Sequence, residues 1–224
     1  MLAISKKKEN KMNIAKTDFR TKVAAFTGSA VGVAGAMALI GRRHGIRNRI
    51  TLNHPQKMLK MLKEIELKEK DVIEIAASSV FCGFAAGSVS DRRNIKAKAK
   101  EGIVQLVGNY IIPTIAVGAG IRLNKVLNTK FNFPPITGAI QFLFGFVGLV
   151  AGVVAGNRIS RKMNSHIFKE DEYRKLNWKD WAMQSDNVCL VASVSNAGTT
   201  LAKAASGFIP LAHLAPGYQT GIKK

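Results

Sequence analysis

The chain has 224 residues, a formal net charge of +20, 47% hydrophobic residues and only two cysteines. A disordered basic tail would be poor in apolar residues, and a disulfide-built scaffold would need more cysteine, so both are excluded. What remains is charge gathered in blocks between long uncharged runs, the pattern of an all-α, polytopic helical membrane protein with basic loops.

Residues 1–22 form a basic N-terminal tail, with Lys6, Lys7, Lys8, Lys11 and Lys16, and residues 23–224 a helical membrane domain. The first candidate span, 23–41, is mostly alanine and glycine. Its long charged leader and the Arg42–Arg43 pair directly after it read as a retained anchor rather than a cleaved signal peptide. Crossing ~30 Å of hydrocarbon takes about 20 largely apolar residues at 1.5 Å each. Segments 102–121 and 135–157 meet that requirement outright. Segment 72–90 carries Glu74 near one end, and segment 187–212 carries Ser193, Ser195, Asn196, Thr199, Thr200 and Lys203. The expectation is therefore four or five glycine- and alanine-rich transmembrane helices. Counting Lys and Arg by loop favours an inside N-terminus slightly with five spans, and more clearly with four if the first segment dips in without crossing.

Two stretches between the spans read as interfacial helices. Pro55 after Asn53 suits a first helical turn, and 55–70 then places Met58, Met61, Leu62 and Ile65 on one face among lysines, as on anionic lipid headgroups. Segment 177–183 carries Trp178 and Trp181. With Tyr173 these amphipathic rings are expected to anchor at the headgroup level.

Small residues recur at helical spacing: Gly28 and Gly32, Gly83 and Gly87, and Gly148, Gly152 and Gly156. In lipid, apolar side chains gain nothing by leaving lipid for each other, and such stripes permit close backbone approach. They predict a tightly packed or self-associating bundle. Residues 81–93 also align without gaps on 146–158, a faint repeat that glycine- and alanine-rich sequence can produce unaided.

Polar residues at span depth are few. Gln105, Asn109 and Pro113 recur every four residues on one face, where Gln141 and Asn196 could meet them. One reading is a polar pathway for a small solute or ion; the other is interhelical hydrogen bonding at ~0.6 kcal/mol each. Of ionisable residues, only Glu74 and Lys203 are candidates for depth, and both lie near presumed span ends.

Motifs for chemistry are missing. The sequence has no GxxxxGK[ST], HExxH, CxxC or EF-hand loop. Its four histidines are scattered. Ser206 and His213 come nearest to a nucleophile with its base, without an oxyanion motif. No catalytic, cofactor-binding or metal residue is expected, no cofactor, and no enzyme. Basic blocks that always flank apolar runs point to lipid headgroups and not to a specific nucleic acid. The leading expectation is a non-enzymatic integral membrane component, self-associating or packed on another membrane protein through its glycine faces. The alternative is a small channel or transporter. A basic, acid-poor N-terminus fits a bacterial inner membrane, with an organelle membrane as the alternative.

Overall fold

A computed structural model describes residues 17–45, 65, 67–131, 138–168, 184–196 and 198–224. Among the described residues the chain is all-helical, with no strand. Helix α1 spans Phe19–Arg43 and α2 spans Glu69–Ser90. A short 3-10 turn, Arg92–Asn94, leads into α3, Ile95–Val104. A π-helical segment, Gln105–Ile111, joins α3 to α4, Ile112–Phe131. Helix α5 covers Gly138–Lys162 and ends in a second π segment, Met163–Ile167. Three shorter helices follow: α6 (Ser185–Ser195), α7 (Thr200–Ala212) and α8 (Leu214–Ile222). Four helical stretches are long and apolar enough to cross a membrane: Phe19–Arg43, Glu69–Ser90, Arg92–Phe131 and Gly138–Ile167.

Helix ends follow local chemistry. Asp71 accepts from the Lys68 backbone N–H at 3.0 Å, and with Glu69 it sets negative charge in the first turn of α2, where the helix dipole favours it. Arg42 and Arg43 close α1, and Arg161 and Lys162 close α5, at the complementary ends. Between α6 and α7 the backbone turns through Gly198 at φ +83°, a left-handed conformation that glycine adopts without a Cβ clash. Thr199 then caps α7, its hydroxyl accepting from Ala202 N–H at 3.2 Å.

The segment expected as one span at 187–212 is therefore two helices, of 11 and 13 residues, because the Asn196–Thr199 turn breaks it. Helices α7 and α8 are in turn separated by His213 alone, whose φ −73°, ψ −3° and N–H bond to Ile209 O keep the chain nearly helical. Pro210 and Pro216 deny their own N–H groups to the ladder on either side. Of the expected interfacial helices, 177–183 lies outside the described residues, as do Tyr173, Trp178 and Trp181. Most of 55–70 does too; its described end holds Ile65 and Leu67 buried in the core and enters α2 only at Glu69.

The glycines sit at backbone-to-backbone contacts inside the chain. A Cβ on Gly28 would lie 2.5 Å from Ala86 Cβ, and one on Gly32 would strike Ser78 of α2. Cβ atoms on Gly83 and Gly87 would strike Gly217 and Gly221 of α8. In α5, Gly148 faces Ala116, Gly152 lies 2.7 Å from Pro113 Cα by the same measure, and Gly156 meets Gly108. Thus α8 seats between α1 and α2, while α4 and α5 form a second antiparallel pair against α6.

Two ends of the bundle can be distinguished. On one, called here the near face, Thr17 Oγ1 donates to Ile222 O at 3.2 Å and the Thr21 and Ser90 hydroxyls meet at 3.2 Å. On the far face Arg43 pairs with Glu74, and Arg122 with Glu69 at 3.2 Å. Thr17 and Ile222 share a face, so an odd number of crossings between them, as in the five-span count, does not fit this arrangement.

Candidate functional site

The two interrupted helices bring polar groups together at mid-bundle. In the first, Pro113 has no N–H for Asn109 O, four residues earlier. That carbonyl instead accepts from Gln184 Nε2 at 3.2 Å. π-Helical turns of this kind concentrate at functional sites. Gln184 continues to Asn187 (2.9 Å), which accepts from Thr114 Oγ1 at 2.9 Å. In the other direction Asn109 Nδ2 donates to Gln105, and Gln105 Nε2 to Glu101 at 2.9 Å and to Gln219 at 3.1 Å. Glu101 pairs with Lys223 at 3.0 Å, near the near face.

Beside this row, where Asp186 adjoins Asn187 in sequence, lies a buried histidine–carboxylate contact. His213 Nε2 stands 3.2 Å from Asp186 Oδ2, with side chains 0% and 1% exposed. The Tyr110 ring packs on the imidazole, centroids 5.2 Å apart. His213 Nδ1 is 2.7 Å from Ile209 O. The approach of His213 to Asp186 lacks hydrogen-bond alignment: Asp186 Oδ1, Asp186 Oδ2 and His213 Nε2 have no hydrogen-bond partner.

Neighbouring serines fix the depth of this pair. Ser79 Oγ donates to His213 O, and Ser29 Oγ to Leu214 O at 2.8 Å. Ser79 lies midway along Glu69–Ser90, about 15 Å from either end at 1.5 Å per residue. The two halves of the bundle differ. Toward the near face runs the amide row; toward the far face the core is mainly apolar, with Met37, Ile40, Val72, Ile75, Val117 and Ile121 packed together, apart from the buried Ser193–Ser206 hydroxyl pair of α6 and α7.

The residues singled out from sequence are distributed differently from the face expected. Gln105 and Asn109 belong to the row, and Pro113 creates its vacant carbonyl. Asn196 instead bonds Ala192 O at the end of α6, where its amide faces Gly138. Gln141 sits in the first turn of α5, about 16 Å along that helix from Gly152, which meets Pro113 beside the row. Glu74 pairs with Arg43 at the far face. Ser206 bonds Ser193 at 2.5 Å and not His213, which gives no nucleophile–base pair.

Sequence reasoning missed Asp186, because a charge marks the end of an uncharged run, and missed Gly217 and Gly221, whose four-residue spacing was present to be read. A cavity of about 240 Å³ between α2 and α3, lined by Phe81, Phe84, Ile103 and Leu106 among others, carries no titratable group. Among the described residues no cluster of three His, Cys, Asp or Glu could hold a metal. Comparison with family models, with curated proteins and with solved structures finds no match.

The row makes a local prediction. Thr114→Val removes the donor to a fully buried Asn187 amide, and an unmet buried acceptor costs about 1–3 kcal/mol. Thermal unfolding in detergent should record that loss; an unchanged midpoint would mean the Thr114–Asn187 bond contributes nothing.

Proposed function

We propose that this chain is an integral membrane protein that carries a small ion or polar solute along its buried amide row. The observation that carries the reading is the meeting, at mid-bundle, of two interrupted helices and a short helix, with amide, carboxylate and imidazole groups between them. Non-helical backbone and ionisable side chains at depth are costly in lipid, and where they occur they line substrate or ion paths. Support for a bilayer setting comes from the outer surface, where Val31, Phe81, Ile115, Leu143, Val147 and Leu201 stand exposed. Anionic headgroups would meet Arg92, Arg93, Lys96, Arg161 and Lys162 around the near face, which makes that face cytoplasmic by the positive-inside rule. A bacterial inner membrane is the setting proposed.

The test is reconstitution. Purified protein in lipid vesicles should admit protons, sodium or potassium, each read by a trapped indicator, about tenfold faster than protein-free vesicles. Asn109→Leu cuts the row between Gln105 and Gln184 and should return that rate to background. Wild-type vesicles impermeable to all three ions would count against ion transport.

Association with another membrane protein or a second copy is the second reading. The sequence glycines Gly28, Gly32, Gly83, Gly87, Gly148, Gly152 and Gly156 already meet neighbours within the chain, so a partner would use the outer apolar surface. A native-gel mass that stays that of one chain would oppose a homo-oligomer.

A further inference from the structure

We propose that Asp186 and His213 together hold one exchangeable proton at the centre of the bundle, the ion that passes between this site and the near face. The inference starts from the second nitrogen of the ring. Ile209 O, 2.7 Å from His213 Nδ1, can only accept. Nδ1 therefore carries a hydrogen, and in a neutral imidazole Nε2 is then a bare lone pair. Nε2 stands 3.2 Å from Asp186 Oδ2, off hydrogen-bond alignment, and so near a carboxylate its lone pair is repelled. One further proton, on Nε2 or on Oδ2, turns repulsion into attraction. The pair is then neutral overall, as imidazolium with carboxylate or as imidazole with carboxylic acid. Without that proton a full negative charge is left in a low-dielectric interior, where unpaired charge costs several kcal/mol.

No side chain near the pair offsets that charge; only the first turn of α6, which carries Asp186, does so in part through its dipole. Both carboxylate oxygens and Nε2 lack hydrogen-bond partners. The facing titratable groups are Tyr110 on the π segment and Cys189, within electrostatic reach of Asp186 on α6. Helices α1 and α2 present Ser29 and Ser79. Lys203 of α7 and Lys223, just after α8, each stand ten residues from His213, about 15 Å along the helices; Glu101 lies at the outer end of the row. Packing alone does not call for such a pair, since apolar residues of the same volume serve a buried site as well or better. What the pair adds is a proton-binding group one residue from Asn187 of the amide row on one side, with a mainly apolar core on the other.

The proposal rests on the transport reading for its use, but its test needs no flux. Full-length protein labelled with 15N-histidine is placed in phosphatidylethanolamine–phosphatidylglycerol vesicles and titrated between about pH 4 and pH 9 by solid-state NMR. The His213 signals are assigned by their loss in His213→Gln. A change of protonation state is expected, with a midpoint that falls by at least about one pH unit in Asp186→Asn, a tenfold loss of proton affinity once the carboxylate's attraction is removed. A ring fixed in one state throughout, or one midpoint shared by both proteins, would overturn the proposal. Should Asp186→Asn not fold, infrared spectra of the parent and Asp186→Glu decide. A carboxylic-acid band that disappears on alkalinisation and shifts in Asp186→Glu is expected, and its absence overturns the site. Silent flux with an intact titration would reject the transport reading and keep the proton site; flux without titration would do the reverse.

Discussion

Gly83→Leu is expected to unseat α8 and to leave little stably folded protein. Even a Cβ at this position would overlap the backbone of Gly217, whose Cα lies 2.8 Å away. Backbone has no rotamer to change, so the helices themselves must part. Overpacking commonly costs 1–3 kcal/mol. Here the whole of α8 moves, and with it the Ser29 and Ser79 bonds to Leu214 O and His213 O. A loss of about 3 kcal/mol or more would lower the unfolding midpoint by roughly 10 °C for a chain of this size. Gly35→Leu is the control: nothing lies within 4 Å of a Cβ there, so it should unfold like the parent. Equal midpoints for Gly83→Leu and Gly35→Leu would refute the contact between α2 and α8.

Lys98→Met should be nearly as damaging, for an electrostatic reason. Lys98 is 0% exposed. Its ammonium reaches Gly87 O at 3.0 Å, Asp91 O at 2.8 Å and the Asp91 carboxylate at 3.1 Å. It thereby satisfies carbonyls at the C-terminal end of α2, where positive charge is favoured. Methionine fills the volume but leaves Asp91 O unmet and the Asp91 carboxylate without its cation, while Gly87 O keeps the Asp91 N–H at 3.0 Å; the expected loss is about 3 kcal/mol. The effect depends on pH. The Asn94 amide, and after it Lys98, hold the Asp91 carboxyl below its ordinary value of 3.8. A carboxyl depressed on folding contributes stability that is full above its unfolded value and lost as pH falls through the folded one. The gap between parent and variant in denaturant unfolding should therefore be widest at neutral pH and narrow below about pH 4. A gap that stays the same from neutral pH into acid would assign the loss to packing instead.

The long hydrophobic stretches were legible from residues alone because the signal is local. Residues 23–41, 72–90 and 102–121, and 138–157 of the segment expected at 135–157, fall on helices long and apolar enough to cross a membrane. The glycine spacing was equally readable, but not its targets: Gly152 meeting Pro113 and Gly83 meeting Gly217 depend on which helices neighbour one another. Half of the polar face was legible too. Gln105 and Asn109 share a row because they lie one turn apart on a single helix, whereas Gln141 and Asn196 were assigned to it across an interface that does not form.

Composition, charge blocks and run length by themselves determined that this chain is helical and apolar enough to cross a membrane, since each is a property of successive residues. Only the tertiary structure decided where its deepest charges lie. Asp186 precedes the candidate span 187–212 and His213 follows it, so both read as ends of a span. The turn at Gly198 folds α6 and α7 back on each other, and α8 carries the chain on between α1 and α2. Those non-local contacts turn two presumed span ends into the buried centre of the bundle, 3.2 Å apart.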